Sequence, residues 1–243
     1  MSSNSETPTT INCIVPVALK ETIAALRPEF ETQSGHTLNL THRLNPEVPG
    51  LIDEGVTWDL AMTNPRYINQ IITSGHSDAA SHKLFGYSPL AFAKRGHSNT
   101  SLLTTNEKIA AMLIDANSIA ITDAGTSGEM FRKLAGTLDV WQAVKSAIRP
   151  MRGGGPITSL LNGDVEIAMV PLSNVVTVGN ITPIAICPDD LGVHIDLSIC
   201  LYRQCTQGAR EFSEWLLSAD RDRTLSKLGV YRQPPHDDRM GSY

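Results

Sequence analysis

Short apolar runs alternate with stretches of helical spacing at the start of the chain, and this alternation limits the fold more than any other feature. Residues 11–15, 38–42 and 59–62 are predicted strands. Between the first two strands, apolar residues recur at helical spacing, at Leu19, Ile23, Leu26 and Phe30. Helices between successive strands predict a parallel sheet with right-handed crossover connections.

The carboxyl ends of these strands are where a ligand site is expected, because open α/β sheets bind ligands just outside them. The residues at those positions are, in chain order, Val17, Ala18, His42, Arg43 and Asn64. We therefore expect these residues to face a ligand cleft.

A strand-to-helix turn in the middle of the chain has the composition of an anion site. The apolar strand 118–122 runs into Asp123, after which glycines and hydroxyl residues precede a helical pattern. Unpaired N–H groups at a helix start favour negative charge, and glycine lets the backbone approach a ligand closely. Thr126, Ser127 and Gly128 are therefore candidate ligand contacts. An ordinary strand-to-helix connection capped by Thr or Ser fits the same residues.

A run of three glycines offers a second turn of this kind. Arg152 directly precedes Gly153, Gly154 and Gly155, and Pro156 leads into a helical pattern. Residues 153–155 are expected to lack regular structure. Exposed backbone donors beside a guanidinium suit an anion, and a helix start here would face the first one. A flexible connector, the usual role of glycine runs, stays open as the alternative.

Composition excludes several classes of protein. Of the 243 residues, 41% are hydrophobic and 19% are charged, which is typical of a globular chain with a large core. The net charge of −5 comes without a basic cluster, which argues against a nucleic-acid partner. No apolar run reaches the roughly 18 residues of a membrane helix, so no membrane insertion is expected.

The cysteines and the termini give further expectations. Cys13, Cys187, Cys200 and Cys205 form no CxxC pair, which predicts free thiols and neither a metal site nor a cofactor. Residues 1–10 lack the basic and apolar regions of a signal peptide, which predicts a cytoplasmic protein, or a periplasmic one if a signal sequence was removed. Residues 1–10 and 234–243 are expected to be disordered tails.

Four segments, taken in order, resemble bacterial solute-binding proteins. Residues 26–36 resemble the family's "F-E-x-x-T/S-G" opening, and residues 53–60 its "G-x-x-x-D-hydrophobic" strand entry. Residues 162–168 resemble its "G-[DE]-x-[DE]-hydrophobic-[AG]" segment, and residues 212–230 its closing helix. The order and spacing hold over about residues 11–232. The chain thus resembles the molybdate-binding-protein-like branch of the type II periplasmic binding fold.

This resemblance implies an α/β fold of two Rossmann-like lobes, joined by two crossover strands, with an anion held in the cleft between them. Residues 11–85 plus 195–233 would form the first lobe and residues 86–194 the second. Ser88 would lie near the first crossover, either touching ligand or acting as a hinge serine. Ser173 would follow a strand of the second lobe at the cleft.

The chain departs from the molybdate binders at the loops that hold their oxyanion. Their first loop has a serine where this chain has residues 16–18, their second hydroxyl loop matches residues 42–45, and their tyrosine matches Leu172. A tetrahedral oxyanion held by neutral groups is therefore not expected. Three arginines instead suit planar carboxylates, which a guanidinium binds through two parallel hydrogen bonds, namely Arg43, Arg95 and Arg152.

Within that branch, residues 119–128, 131–136 and 170–176 resemble the aconitate-isomerase-like group, with Asn174 where that group has an acid. The resemblance implies an isomerase or tautomerase acting on a small unsaturated di- or tricarboxylate. His42 would be the base and Asp123 the second candidate, although a surface histidine and a capping aspartate fit the same residues. The alternative is a non-catalytic solute-binding protein or ligand sensor for a small carboxylate or oxyanion. Only that alternative implies a membrane transporter as partner.

Overall fold

The computed structural model describes residues 8–97 and 101–232, which form nine strands and ten α-helices. The strands are β1 (Thr10–Pro16), β2 (Thr37–Arg43), β3 (Leu60–Thr63), β4 (Lys83–Arg95), β5 (Ile119–Thr122), β6 (Ile148–Met151), β7 (Ile167–Pro171), β8 (Ile181–Ile186) and β9 (His194–Leu201). The helices are α1 (Lys20–Ser34), α2 (Val48–Asp53), α3 (Pro65–Thr73), α4 (Asn106–Asp115), α5 (Thr126–Thr137), α6 (Trp141–Val144), α7 (Gly155–Asn162), α8 (Leu172–Val175), α9 (Gln207–Leu217) and α10 (Asp222–Lys227).

The sheet runs in the order β2-β1-β3-β9-β4-β7-β5-β6, with β8 pairing β4 beside this path. Strands β1, β2 and β3 are parallel, as are β5, β6 and β7. Strands β9 and β4 run antiparallel to their neighbours. The expected parallel sheet is therefore present within each lobe, and antiparallel strands join the lobes. The fold is a mixed α/β fold of the type II periplasmic binding class.

Strand β4 belongs to both lobes. Its first half, Lys83 to Pro89, pairs with β9, and its second half pairs with β7 and β8. The pairing with β9 shifts register between Leu84 and Gly86. A Cβ on Gly86 would overlap the carbonyl oxygen of Tyr231, so only glycine lets the C-terminal segment pack there. The predicted lobe boundaries, at 85/86 and 194/195, stay a prediction.

Apolar faces of the helices cover the sheet. In α1, Ile23, Leu26 and Phe30 are at most 1% exposed, as their helical spacing predicts. The ring of Phe30 lies 4.6 Å from that of Phe212 on α9, measured between centroids. Burying a side chain of this size stabilises the fold by roughly 1.5–3 kcal/mol. The end of α1 is set by Gly35 at φ +76°, a left-handed conformation that favours glycine.

Strand β6 is not among the predicted strands, and the expectation that residues 153–155 lack regular structure is wrong at its end, because Gly155 opens α7. Strand β6 forms the edge of the sheet and pairs only with β5 along this strand order. Pro150 is tolerated there because one side of an edge strand has no neighbouring strand, so the missing N–H of proline costs no hydrogen bond in the sheet. Single-sequence patterns miss such a strand, since Arg149 and Pro150 are exposed and do not alternate with buried residues.

The tail prediction lies mostly outside the described residues, which exclude 1–7 and 233–243. Among the described residues, the predicted disordered segment 1–10 extends too far, because Thr10 is already the first residue of β1. The backbone N–H of Thr9 donates a 3.1 Å hydrogen bond to Nδ1 of His36. No helix among the described residues has the length and apolar character needed to cross a bilayer.

Candidate functional site

A small cavity lies where loops of both lobes meet at the carboxyl ends of the parallel strands. Its volume is about 40 Å³, compared with the roughly 10–15 Å³ that one water needs. Five groups of residues line it, and none of them is charged: Val17 and Ala18; Leu44 and Asn45; Thr122, Gly125, Thr126 and Ser127; Gly153, Gly154, Pro156 and Ile157; and Val170, Pro171, Asn174 and Ile195. The space suits a compact polar group.

The N-terminus of α5 faces this cavity. Gly125 has extended backbone and caps the helix, and Thr126 and Ser127 are its first two residues. Both side chains are buried, with 9% and 8% exposed. The first N–H groups of a helix have no acceptor within the helix, so the 12-residue α5 directs donors and a partial positive charge at the cavity.

Gly128 is required for helix packing and not, as expected, for close approach of a ligand. It does not line the cavity, and a Cβ at this position would overlap the carbonyl oxygen of Thr122. A Cβ on Gly125 would come within 2.8 Å of Cγ2 of Thr122. These glycines therefore let α5 pack on the end of its own strand, β5. The expectation that Gly128 makes room for a ligand is not met in this structure.

Hydroxyl and amide groups at the cavity bond to one another across the lobes. Thr126 Oγ1 donates to Oδ1 of Asn64 at 2.8 Å, and Nδ2 of Asn64 donates to the carbonyl of Asp196 at 2.5 Å. Asn64 thus positions Thr126 and does not line the cavity itself. Ser127 Oγ and Thr122 Oγ1 lie 3.1 Å apart. Two hydroxyls that share one hydrogen bond keep one further proton, which can be donated to a ligand.

The glycine run opens the other side of the cavity. Gly154 caps α7, and a Cβ on it would meet no atom within 4 Å, so it faces open space. Gly155 does not line the cavity, because a Cβ there would lie 2.9 Å from Cβ of Met151 on β6. Of the two candidate glycines, Gly154 therefore lies at the site and Gly155 does not.

The three candidate arginines lie away from the cavity. Arg43 is exposed and donates to the carbonyl of His42 at 2.8 Å. The Arg152 side chain is 94% exposed, with Nε 3.8 Å from Oδ2 of Asp123. The guanidinium of Arg95 packs over the turn at Gly163, at the far end of β4. A planar arginine clamp is not assembled in this conformation, because the side chains of Arg43 and Arg152 extend into solvent and that of Arg95 packs over Gly163.

The two candidate catalytic residues also lie outside the cavity. Asp123 Oδ1 accepts a 2.7 Å hydrogen bond from the N–H of Ala124 in the turn before α5, whose N-cap is Gly125. His42 lines a neighbouring groove, and burial lowers its pKa below the usual 6.5. No group of three His, Cys, Asp or Glu side chains able to hold a metal ion occurs within residues 8–97 and 101–232.

Ser88 and Ser173 tie the crossover region together and do not line the cavity. Ser88 Oγ donates to the carbonyl of Gly229 at 2.9 Å and accepts from the N–H of Ser173 at 3.1 Å. Ser173 Oγ donates to the carbonyl of Ala18 at 2.6 Å, which joins the two lobes. Neither serine is placed against the cavity, and the hinge role of Ser88 stays a prediction.

The structure adds cavity residues that the sequence patterns did not single out, namely Leu44, Asn45, Thr122, Gly125, Gly153, Pro156, Ile157, Val170, Pro171, Asn174 and Ile195. Seven of these eleven lie at or just after the carboxyl ends of β2, β5 and β7, so the rule that placed Val17 at the cleft could have found them. Of the contacts expected from the sequence, the cavity brings together Val17, Ala18, Thr126, Ser127 and Gly154.

Two grooves adjoin the cavity. One, of about 400 Å³, shares Val17, Gly154, Ile157 and Asn174 with it. The other, of about 340 Å³, shares Thr126 and is spanned by an ion pair between Arg66 on α3 and Glu129 on α5. Their two hydrogen bonds measure 2.6 Å and 3.2 Å. The bond from Arg66 lowers the pKa of Glu129 below its usual 4.5.

Solved structures with this fold include several anion-binding proteins. The periplasmic molybdate-binding protein of Azotobacter vinelandii is 13% identical and superposes with a TM-score of 0.77, over 93% of this chain and all of that one. The tungstate-binding protein TupA of Desulfovibrio alaskensis G20 is 10% identical, with a TM-score of 0.65 over 94% of this chain and all of that one. PEB3 of Campylobacter jejuni, solved with L-phospholactate, is 11% identical, with a TM-score of 0.69 over 92% of this chain and all of that one. At these identities the likeness shows the fold alone. No curated protein sequence matches the chain.

The family comparison decides between the two functional hypotheses. The model of the bacterial extracellular solute-binding proteins matches residues 11–230. The isomerase hypothesis is therefore wrong, and so are the catalytic roles given to His42 and Asp123, because this family and the neighbouring structures are binding proteins. The comparisons do not support the aconitate-isomerase-like resemblance or a cytoplasmic location. The chain belongs to the family of bacterial extracellular solute-binding proteins.

Proposed function

We propose that this protein captures a small anion outside the cytoplasm, in the cavity between its lobes, and presents it to a membrane transporter. The family match over residues 11–230 supports binding without catalysis. The neighbours named for molybdate and tungstate support an anion as ligand.

One observation carries the anion assignment: the cavity is lined by uncharged residues, hydroxyl and amide groups among them, and faces the N-terminus of α5. An anion loses its hydration when it enters such a space, and only directed hydrogen bonds compensate for that loss. Each hydrogen bond to a charged group contributes about 1.5–3 kcal/mol. The first N–H groups of α5 and the spare proton of the Ser127–Thr122 pair supply such bonds.

The proposed contacts are Val17, Ala18, Thr126, Ser127 and Gly154, together with Asn45, Thr122 and Asn174. The volume of about 40 Å³ holds one compact oxyanion or a single carboxylate group. Arg43 and Arg152 are left out of the proposed contacts because their side chains are exposed beyond the cavity.

A thermal-shift screen tests this function. The panel contains molybdate, tungstate, sulfate, phosphate, acetate and di- and tricarboxylates, since a ligand that binds only the folded state raises the unfolding temperature. Titration calorimetry on the best anion then compares the wild type with Ser127→Ala. We expect this variant to bind the anion about 10- to 100-fold more weakly, which corresponds to one lost charge-assisted hydrogen bond.

Ser74→Ala is the matched control, because Ser74 is exposed and its hydroxyl only donates to the carbonyl of Gln70 in α3. It should bind as the wild type does. A panel in which no anion stabilises the protein would contradict the proposal. So would a Ser127→Ala variant with unchanged affinity.

A further inference from the structure

The groove of about 400 Å³ lies directly beside the cavity. Four residues line both spaces, namely Val17, Gly154, Ile157 and Asn174. Gly154 has no side chain to close the passage, and a Cβ there would meet nothing within 4 Å. A ligand whose head fills the small cavity therefore has a path along which a longer substituent can extend.

The groove suits a carbon skeleton better than a second anion. Val17, Ile157 and Val178 give it aliphatic walls. Lys20 lies at its rim, but its Nζ is 3.5 Å from Oε1 of Glu21, which also lines the groove and offsets the charge. His42 completes the lining with a weakly basic ring, because burial lowers its pKa. Apolar surface removed from water here contributes about 25 cal/mol per Å².

Asn174 marks the junction of the two spaces. Its side chain is 8% exposed, and its buried Oδ1 has no hydrogen-bond partner among the described residues. A buried acceptor without a donor costs about 1–3 kcal/mol. A carboxylate or a fully deprotonated oxyanion has no proton to offer it. In this conformation Oδ1 is covered by its neighbours, so a ligand hydroxyl placed one or two carbons from the anionic head would reach it after the side chain turns toward the groove.

We infer that the ligand is a hydroxylated organic anion, and this inference rests on the proposed binding function. Its carboxylate or phosphate head occupies the small cavity, its hydroxyl donates to Asn174, and its carbon chain lies in the groove along Val178. Asn174 and Val178 are then specificity-determining residues that distinguish such a ligand from a bare inorganic oxyanion.

Calorimetry with matched anions tests this inference. For a carboxylate head the series is acetate, butyrate and 3-hydroxybutyrate, and for a phosphate head it is phosphate, propyl phosphate and 2-hydroxypropyl phosphate. In the series whose anionic head fits the cavity, we expect the added alkyl group and the added hydroxyl each to tighten binding. The hydroxyl should tighten it by about tenfold. The series that binds more tightly identifies the head.

Variants assign the effect to the groove. Val178→Trp fills the groove without touching the cavity, and should weaken the hydroxylated anion about tenfold while leaving acetate or phosphate unchanged. Asn174→Leu should remove the preference for the hydroxylated anion over its deoxy match. Ile114→Trp is the control, because Ile114 is 54% exposed on α4 and lines neither space.

The outcomes separate the two proposals. If acetate or phosphate binds but chain and hydroxyl add no affinity in the wild type, the inference is overturned and the proposed function stands. If no anion of either series binds, both fail. The wild-type series needs no variant to fold, so the inference stays testable even if Val178→Trp is unstable.

Discussion

Gly128 and Gly154 lie at the starts of two helices that face the cleft, yet they are glycine for opposite reasons. At Gly128 a side chain would overlap the backbone of β5, whereas at Gly154 it would enter open space. The first residue controls how closely α5 approaches its strand, and the second leaves room beside the ligand. Both requirements depend on the surroundings of the glycine and not on the residue itself. Glycine content alone therefore does not separate packing from binding.

A Gly128→Ala substitution tests this packing role. Because the carbonyl of Thr122 cannot move without disrupting β5, we expect the variant to lose about 3 kcal/mol of unfolding free energy, at the upper end of the range for overpacking. Anion affinity should fall as well, since the start of α5 shifts. Urea unfolding measures the first effect and calorimetry the second.

Gly136→Ala is the control in the same helix. A Cβ at Gly136 meets nothing within 4 Å, so alanine should keep or raise stability by up to about 1 kcal/mol. Equal stability of the two variants would contradict the packing role of Gly128.

At the scale of elements, α3 and α5 belong to different lobes and are joined across the cleft by two contacts. Thr126 on α5 bonds to Asn64, which caps α3, and Arg66 pairs with Glu129 through two hydrogen bonds. The Arg66 and Glu129 side chains are 52% and 50% exposed. An ion pair of this exposure contributes only about 0.2–1 kcal/mol. It can nevertheless bias an equilibrium between open and closed lobes that lies near balance.

An Arg66→Gln variant should therefore release a bound anion about two- to fivefold faster than the wild type at low salt. The difference should shrink in 1 M salt, where exposed charges are screened within about 3 Å. The lowered pKa of Glu129 keeps the pair charged at neutral pH, and its contribution is lost as the pH falls through that pKa. Stopped-flow displacement measures the release rate.

Arg27→Gln controls for the loss of an exposed ion pair, because Arg27 pairs with Glu31 inside α1, away from the cleft. Its release rate should equal that of the wild type. If Arg66→Gln released the anion no faster than Arg27→Gln, the pair would have no role in closure.

At the scale of the whole molecule, the two lobes share strand β4 and a hydrophobic core. Strand β4 pairs with strands of both lobes, and one cluster of buried residues includes Cys13 from β1 together with Cys187 after β8. Both thiols are at most 1% exposed, and burial raises the pKa of Cys187 to about 12. Each thiol is therefore protected only while the structure around it stays folded.

We predict that the lobes unfold as one cooperative unit. Thiol labelling at increasing urea, read by mass spectrometry of peptides, should give Cys13 and Cys187 the same midpoint. A Cys205→Ser background removes the partly exposed thiol, which should react in the native protein. Labelling of Cys187 at clearly lower urea than Cys13 would show that the second lobe unfolds alone.

Much of the architecture could be predicted from local patterns, because the periodicities of strands and helices depend on residues that are close together in the sequence. The spacing of Leu26 and Phe30 predicted α1, and the apolar run before Asp123 predicted β5. The rule that ligands lie beyond strand ends placed Val17 and Ala18 at the cavity. Residue type was a poorer guide to the rest of the site. Arg43 and Arg152 have suitable chemistry for carboxylates, but their exposed side chains lie outside the cavity.

By itself, the sequence determined the alternation of strands and helices, the class of fold and the helix start that faces the cleft, since each depends on residues close together in the chain. Only the tertiary structure decided which of the polar groups meet. Asn174 and Thr126 come from segments almost 50 residues apart and line one cavity because β5 and β7 are neighbours in the sheet. Neutral donors, and not the arginines, surround that cavity, because the packing of the lobes leaves space there for short side chains and backbone.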